Sequence, residues 1–101
     1  TIIGDVRGKG LMIGVELVRP RTGNPGEPAP ELASAVLEAA KRRGLLIGKG
    51  GLYANALRIA PPLTLTPQEA AEGLALLVAS IEEAAAGLPP AASPEEEVVA
   101  P

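Results

Sequence analysis

The sequence contains no cysteine and no histidine. Without thiols there is no disulfide, no thiolate metal site and no cysteine nucleophile. Without imidazole, Ser-His-Asp and Cys-His catalysis fall away, and with them nearly all zinc and haem ligation. Tyr53 is the one aromatic residue, too few for a platform that stacks bases. Positive charge is in deficit. Nine Lys and Arg against twelve Asp and Glu leave a net charge of −3, the wrong sign for a nucleic-acid or anionic-membrane surface. No apolar run approaches the ~18 residues of a membrane span. The opening Thr1-Ile2-Ile3-Gly4-Asp5 lacks the basic start and apolar stretch of a secretory leader. The expected compartment is the cytoplasm. Because the chain opens without Met and directly in strand-like sequence, it reads as an N-terminally truncated piece of a longer polypeptide.

What remains is a chain of 101 residues, 47% hydrophobic, whose apolar content is Ala, Leu, Ile and Val. That suffices for one small domain with a thin core. In Leu11 to Val18, alternation puts Leu11, Ile13, Val15 and Leu17 on one strand face and Met12, Gly14, Glu16 and Val18 on the other. Arg19 to Pro30 carries four prolines and reads as a loop. Glu31 to Arg43 has Leu32, Ala35, Val36, Ala39 and Ala40 at helical spacing. Basic residues crowd its last turn, and Gly44 stands at the left-handed position that ends a helix. Leu45-Leu46-Ile47 reads as a short strand, Gly48-Lys49-Gly50-Gly51 as a flexible loop, and Ala56 to Ala60 as a further strand stopped by Pro61-Pro62.

A second helix starts at a Thr66-Pro67-Gln68-Glu69 capping box and ends at Gly87. Ala70, Leu74, Leu77, Val78, Ile81 and Ala85 mark its expected buried face. Gly73 within it disfavours the helix by about 1 kcal/mol relative to Ala, a loss that close packing would justify. Residues 89–101 form a Pro- and Glu-rich segment read as a disordered tail, so the folded domain is expected over 1–88. The order strand, helix, strand, strand, helix implies an α+β fold, a small, mainly antiparallel sheet with two helices on one face.

The glycines do not make a phosphate loop. Gly8-Lys9-Gly10 is followed by Gly14, one residue too late for G-x-G-x-x-G, and it precedes a strand. Gly48-Lys49 lacks the upstream Gly and the following Ser or Thr of a Walker loop. The three lysines, Lys9, Lys41 and Lys49, sit in glycine-rich or basic surroundings that offer no desolvating wall. Glu16 has no evident carboxylate partner for acid-base work. Arg58 is different. Leu57 and Ile59 point to one face and Arg58 to the other, between Ala56 and Ala60, whose small side chains leave room around a guanidinium. Two readings fit: a bidentate grip on a carboxylate, or a charged strand residue that discourages aggregation. Tyr53 and Asn55, just before this strand, are candidates to line the same site or to shape the turn.

Three stretches together resemble one family. Asp5 to Glu16 (D-V-R-G-K-G-L-M-I-G-V-E), Arg43 to Leu46 (R-G-L-L) and Gly51 to Leu63 (G-L-Y-A-N-A-L-R-I-A-P-P-L) are similar to the C-terminal small domain of class III aminotransferases, fold type I enzymes dependent on pyridoxal phosphate. The alanine–glyoxylate-type branch is the most similar. The resemblance runs from about Gly4 to Gly87. It implies that the intact enzyme transfers an amino group from an amino acid to a 2-oxo acid and works as a homodimer. Arg58 matches the family's substrate-carboxylate arginine. The cofactor-bearing lysine and the phosphate cup belong to the family's large domain, so no catalytic, cofactor or metal residue is expected here, and this segment alone is expected to be inactive. The family's Gly-Asn pair reads Ala54-Asn55; a positive φ at that position would be strained with alanine. The residues by themselves also fit a stand-alone ligand-binding or interaction module without catalysis.

Overall fold

The computed structural model describes residues 2–21 and 24–88. The expected tail over 89–101 lies outside them. The elements are β1 (Ile3–Lys9), β2 (Met12–Arg21), β3 (Asn24–Pro28), α1 (Pro30–Arg42), β4 (Gly48–Gly50), β5 (Ala56–Ile59) and α2 (Pro67–Ala86). An antiparallel sheet in the order β1-β2-β5-β4 carries β3 as an extra strand on β2. The α+β class expected from the sequence is the class observed.

The odd-numbered face of β2 makes the core. Val15 and Leu17 are buried with Leu57 of β5, Leu32, Ala33 and Val36 of α1, and Leu77 of α2. Within α1 the buried stripe includes Ala33 in place of the expected Ala35, which is exposed. The helix begins on Pro30 with no side-chain cap. It ends in a paired closure: Gly44 N–H donates to Lys41 O at 3.0 Å and Leu45 N–H to Ala40 O at 2.9 Å, with Gly44 at φ +84° as its position required. At α2 the capping box is present in both directions, with Glu69 N–H donating to Thr66 Oγ1 at 3.1 Å and Thr66 N–H to Glu69 Oε1 at 3.0 Å.

Three expectations are corrected. The proline-rich stretch after Arg19 is paired: β2 continues to Arg21, and β3 runs back along it with Arg19 opposite Glu27 and Val18 opposite Pro28. An edge strand needs N–H groups on one side only, so prolines are tolerated. The strand read at Leu45–Ile47 lies three residues later, at Gly48–Gly50. Leu45 and Ile47 instead pack against the core as a link, while Leu46 is exposed. The third concerns α2, which packs mainly on α1 rather than on the sheet. Leu77 and Ser80 are its buried residues, and the Ser80 hydroxyl donates to Leu76 O at 2.7 Å within the helix. Ala70 is exposed, and Leu74 and Val78 remain 60% and 44% exposed, because α1 covers only one flank. Ion pairs from Arg42 and Arg43 to Glu83 bind the two helices at that flank. Among the described residues no helix is long and apolar enough to cross a membrane.

Candidate functional site

Strand alternation in β5 fixes the direction of Arg58. Leu57 is fully buried and Ile59 packs partly against the core, so Arg58 emerges on the face that carries no helix. The register places Gly14 beside it on β2 and Gly48 beside it on β4. One strand further out, Arg7 stands opposite Gly14. The row Arg7, Gly14, Arg58, Gly48 therefore crosses all four strands of the open face, with glycine between the two arginines. A shallow groove of about 460 Å³ lies over Gly14 between them, with Lys9 and Met12 along its wall. A second, of about 450 Å³, lies on the other side of Arg58 against Leu45, Ile47 and Pro61. Arg58 is the wall the two grooves share.

The two arginines differ electrostatically. Arg7 Nη2 donates to Glu16 Oε1 at 3.1 Å and Nη1 to Asp5 Oδ2 at 2.9 Å. The Glu16 bond first, then the Asp5 bond, holds the Arg7 pKa above its usual value. Its charge is compensated within the sheet. Arg58 makes one long bond, from Nη2 to Lys49 O at 3.4 Å, and has no ion-pair partner among the described residues. An exposed guanidinium between apolar walls, with no carboxylate of its own, is suited to accept one from a ligand.

Of the other candidates, Tyr53 is exposed in the turn closed by Ala54 N–H donating to Gly51 O at 3.2 Å. Ala54 sits at φ +54°, so the left-handed conformation is kept despite the alanine, at about 1–2 kcal/mol of local strain. Asn55 does not share the face of Arg58. It is 4% exposed on the helix-covered side, where Nδ2 donates to Leu17 O at 2.8 Å. The sequence reading also missed a partner: Glu16 pairs with Arg7. The signal was available, because a tight turn at Gly10-Leu11 sets Arg7 opposite Gly14 and so diagonal to Glu16. No cluster of metal-ligating side chains occurs among the described residues.

Comparison with known proteins adds an independent line. The family described as aminotransferase class-III matches residues 1–81. The chain is 42% identical over 86 residues to an alanine/serine racemase of Pyrococcus horikoshii, covering 85% of this chain and 17% of that protein. It is 49% identical over 69 residues to the mitochondrial alanine–glyoxylate aminotransferase 2 homolog 2 of Arabidopsis thaliana, covering 68% of this chain and 14% of that one. An aminotransferase structure from Bacillus anthracis superposes with a TM-score of 0.72 at 35% identity, over 81% of this chain and 19% of the other. The chain thus spans less than a fifth of the length of each of these three relatives.

Proposed function

Since the chain belongs to the class III aminotransferase family, we propose that it is the part of such an enzyme that holds the substrate carboxylate while an amino group passes from an amino acid to a 2-oxo acid. The observation that carries this is the outward Arg58 on the helix-free face, with no ion-pair partner among the described residues. Its role is positional. A two-point grip by the guanidinium orients the substrate about its Cα and holds it still, which removes much of the entropic barrier to reaction. The open face that presents Arg58 is the face expected to meet a larger cofactor-binding domain, and a homodimer is the expected assembly.

Pyridoxal phosphate, which the family implies for the intact enzyme, supplies the electron sink for such chemistry. The described residues do not fit it. All three lysines are exposed, and Lys49 Nζ donates to Ser34 Oγ at 2.9 Å. Neither helix N-terminus suits a phosphate: the first turn of α1 carries the Glu31 carboxylate, and at α2 Thr66 and Glu69 bond each other. The cofactor would be held by the remainder of the enzyme.

In the holoenzyme containing this chain, Arg58→Lys is expected to raise KM for the amino acid about tenfold with cofactor loading unchanged, since a point ammonium does not replace a planar fork. Unchanged kcat and KM would refute the assignment. A second reading, amino-acid racemisation, is favoured by the similarity to the Pyrococcus horikoshii racemase. It uses the same carboxylate anchor and is distinguished by supplying one enantiomer without any 2-oxo acid and assaying for its mirror image.

A further inference from the structure

The Gly48-Lys49-Gly50 run is neither a phosphate loop nor a linker. It is the edge strand β4, paired with β5 so that Gly48 lies opposite Arg58 and Gly50 opposite Ala56. Alternation sends the Lys49 side chain toward α1, where Nζ donates to Ser34 Oγ. Positions 48 and 50 therefore face the helix-free side with no side chain at all. Arg58 uses this bare strip unequally. A Cβ added at Gly48 would touch Arg58 Cβ at 3.5 Å, an ordinary contact. A Cβ added at Gly50 would overlap Arg58 Nη2 and stand 3.2 Å from Cζ and 3.4 Å from Nε. The guanidinium thus occupies the space a side chain at 50 would fill, with Nη2 directed at Lys49 O.

We propose that Gly50 is a positioning residue for Arg58: the missing Cβ gives the guanidinium its seat on the β4 edge and so sets the reach and angle of its grip on a substrate carboxylate. The inference rests on the carboxylate-anchoring reading of Arg58. The atoms that a new Cβ would displace are the far end of a flexible side chain, beside the open groove over Gly14. A residue at 50 is therefore accommodated by moving the guanidinium and not by unfolding the strand. The loss falls on recognition, because a two-point grip depends on orientation.

The test compares Gly50→Ala with Gly48→Ala in the holoenzyme containing this chain, with L-alanine as the acid probe and ethylamine, the same amine without its carboxylate, as control. Single-turnover rate constants per unit concentration of each probe are measured together with Tm and the affinity for pyruvate by calorimetry. For Gly50→Ala the expected result is a loss of about tenfold with L-alanine and pyruvate, the scale of one charge-assisted contact. Ethylamine should change less than about twofold and Tm less than about 2 °C, since the fold is spared. Gly48→Ala should lose clearly less than Gly50→Ala on L-alanine and pyruvate, because its added Cβ makes only an ordinary contact with Arg58 Cβ and does not overlap the guanidinium. Unchanged handling of L-alanine by Gly50→Ala would overturn the proposal, as would equal losses on acid and amine or equal losses in the two variants. Arg58→Lys separates the levels. If it weakens the acid while Gly50→Ala does not, only the positioning role fails; if it too is silent, the carboxylate reading fails with it.

Discussion

Leu17 and Asn55 are tied twice: Leu17 N–H donates to Asn55 O at 2.8 Å, and Asn55 Nδ2 donates to Leu17 O at 2.8 Å. The same Leu17 oxygen accepts from Ala29 N–H at 3.1 Å, so β2, the start of α1 and the entry to β5 meet at one carbonyl. Asn55→Ala removes one of these bonds from a buried site and is expected to destabilise the domain by about 1–2 kcal/mol. Asn55→Asp should be worse, because it sets a carboxylate without a donor against a carbonyl oxygen. Urea midpoints of the two variants check this order, and a near-neutral alanine variant would show that the tie is dispensable.

Gly73 lies inside α2, where an added Cβ would meet nothing within 4 Å. Close packing therefore does not explain the glycine in this domain. Gly73→Ala should stabilise the chain by roughly 0.5–1 kcal/mol through helix propensity and a less free unfolded state. A drop in Tm would mean that something unaccounted for occupies the space.

The capping box makes α2 acid-sensitive. The hydrogen bond from Thr66 backbone N–H, and then that involving the Thr66 hydroxyl, holds the Glu69 carboxyl below the usual carboxylate range. A depressed native pKa means that the unfolded chain binds the proton more readily. The contribution is thus present above the unfolded pKa and is lost as pH falls through the native one. The stability gap between the parent and Glu69→Gln should close on acidification through that window and stay constant from pH 6 to 8. Parallel pH profiles for the two proteins would contradict it.

The features legible in the sequence are those decided locally. Thr66 and Glu69 are three residues apart, Gly44 directly follows its helix, and the alternation from Ile13 to Leu17 needs only strand geometry. Features that depend on a partner were not legible. The acceptor for Asn55 is 38 residues away in the chain. Periodicity reports which face of α2 is apolar, Leu74 and Val78 included, and not whether anything covers it. Prolines argue against a ladder, so β3 reads as loop in the sequence, yet at an edge they do not prevent one. For Arg58 the alternation gave the face correctly, but that its neighbours are Gly14 and Gly48 and that no carboxylate among the described residues reaches it became visible only once the register was known.

The most direct test of the central claim is the affinity of the holoenzyme containing this chain for a 2-oxo acid, measured by calorimetry with and without the guanidinium. A charge-assisted two-point contact is worth about 1.5–3 kcal/mol, so Arg58→Ala should weaken pyruvate binding about 10- to 100-fold while Tm and cofactor content hold. Pyruvate binding within about twofold of the parent, in a folded and cofactor-loaded variant, would contradict the account.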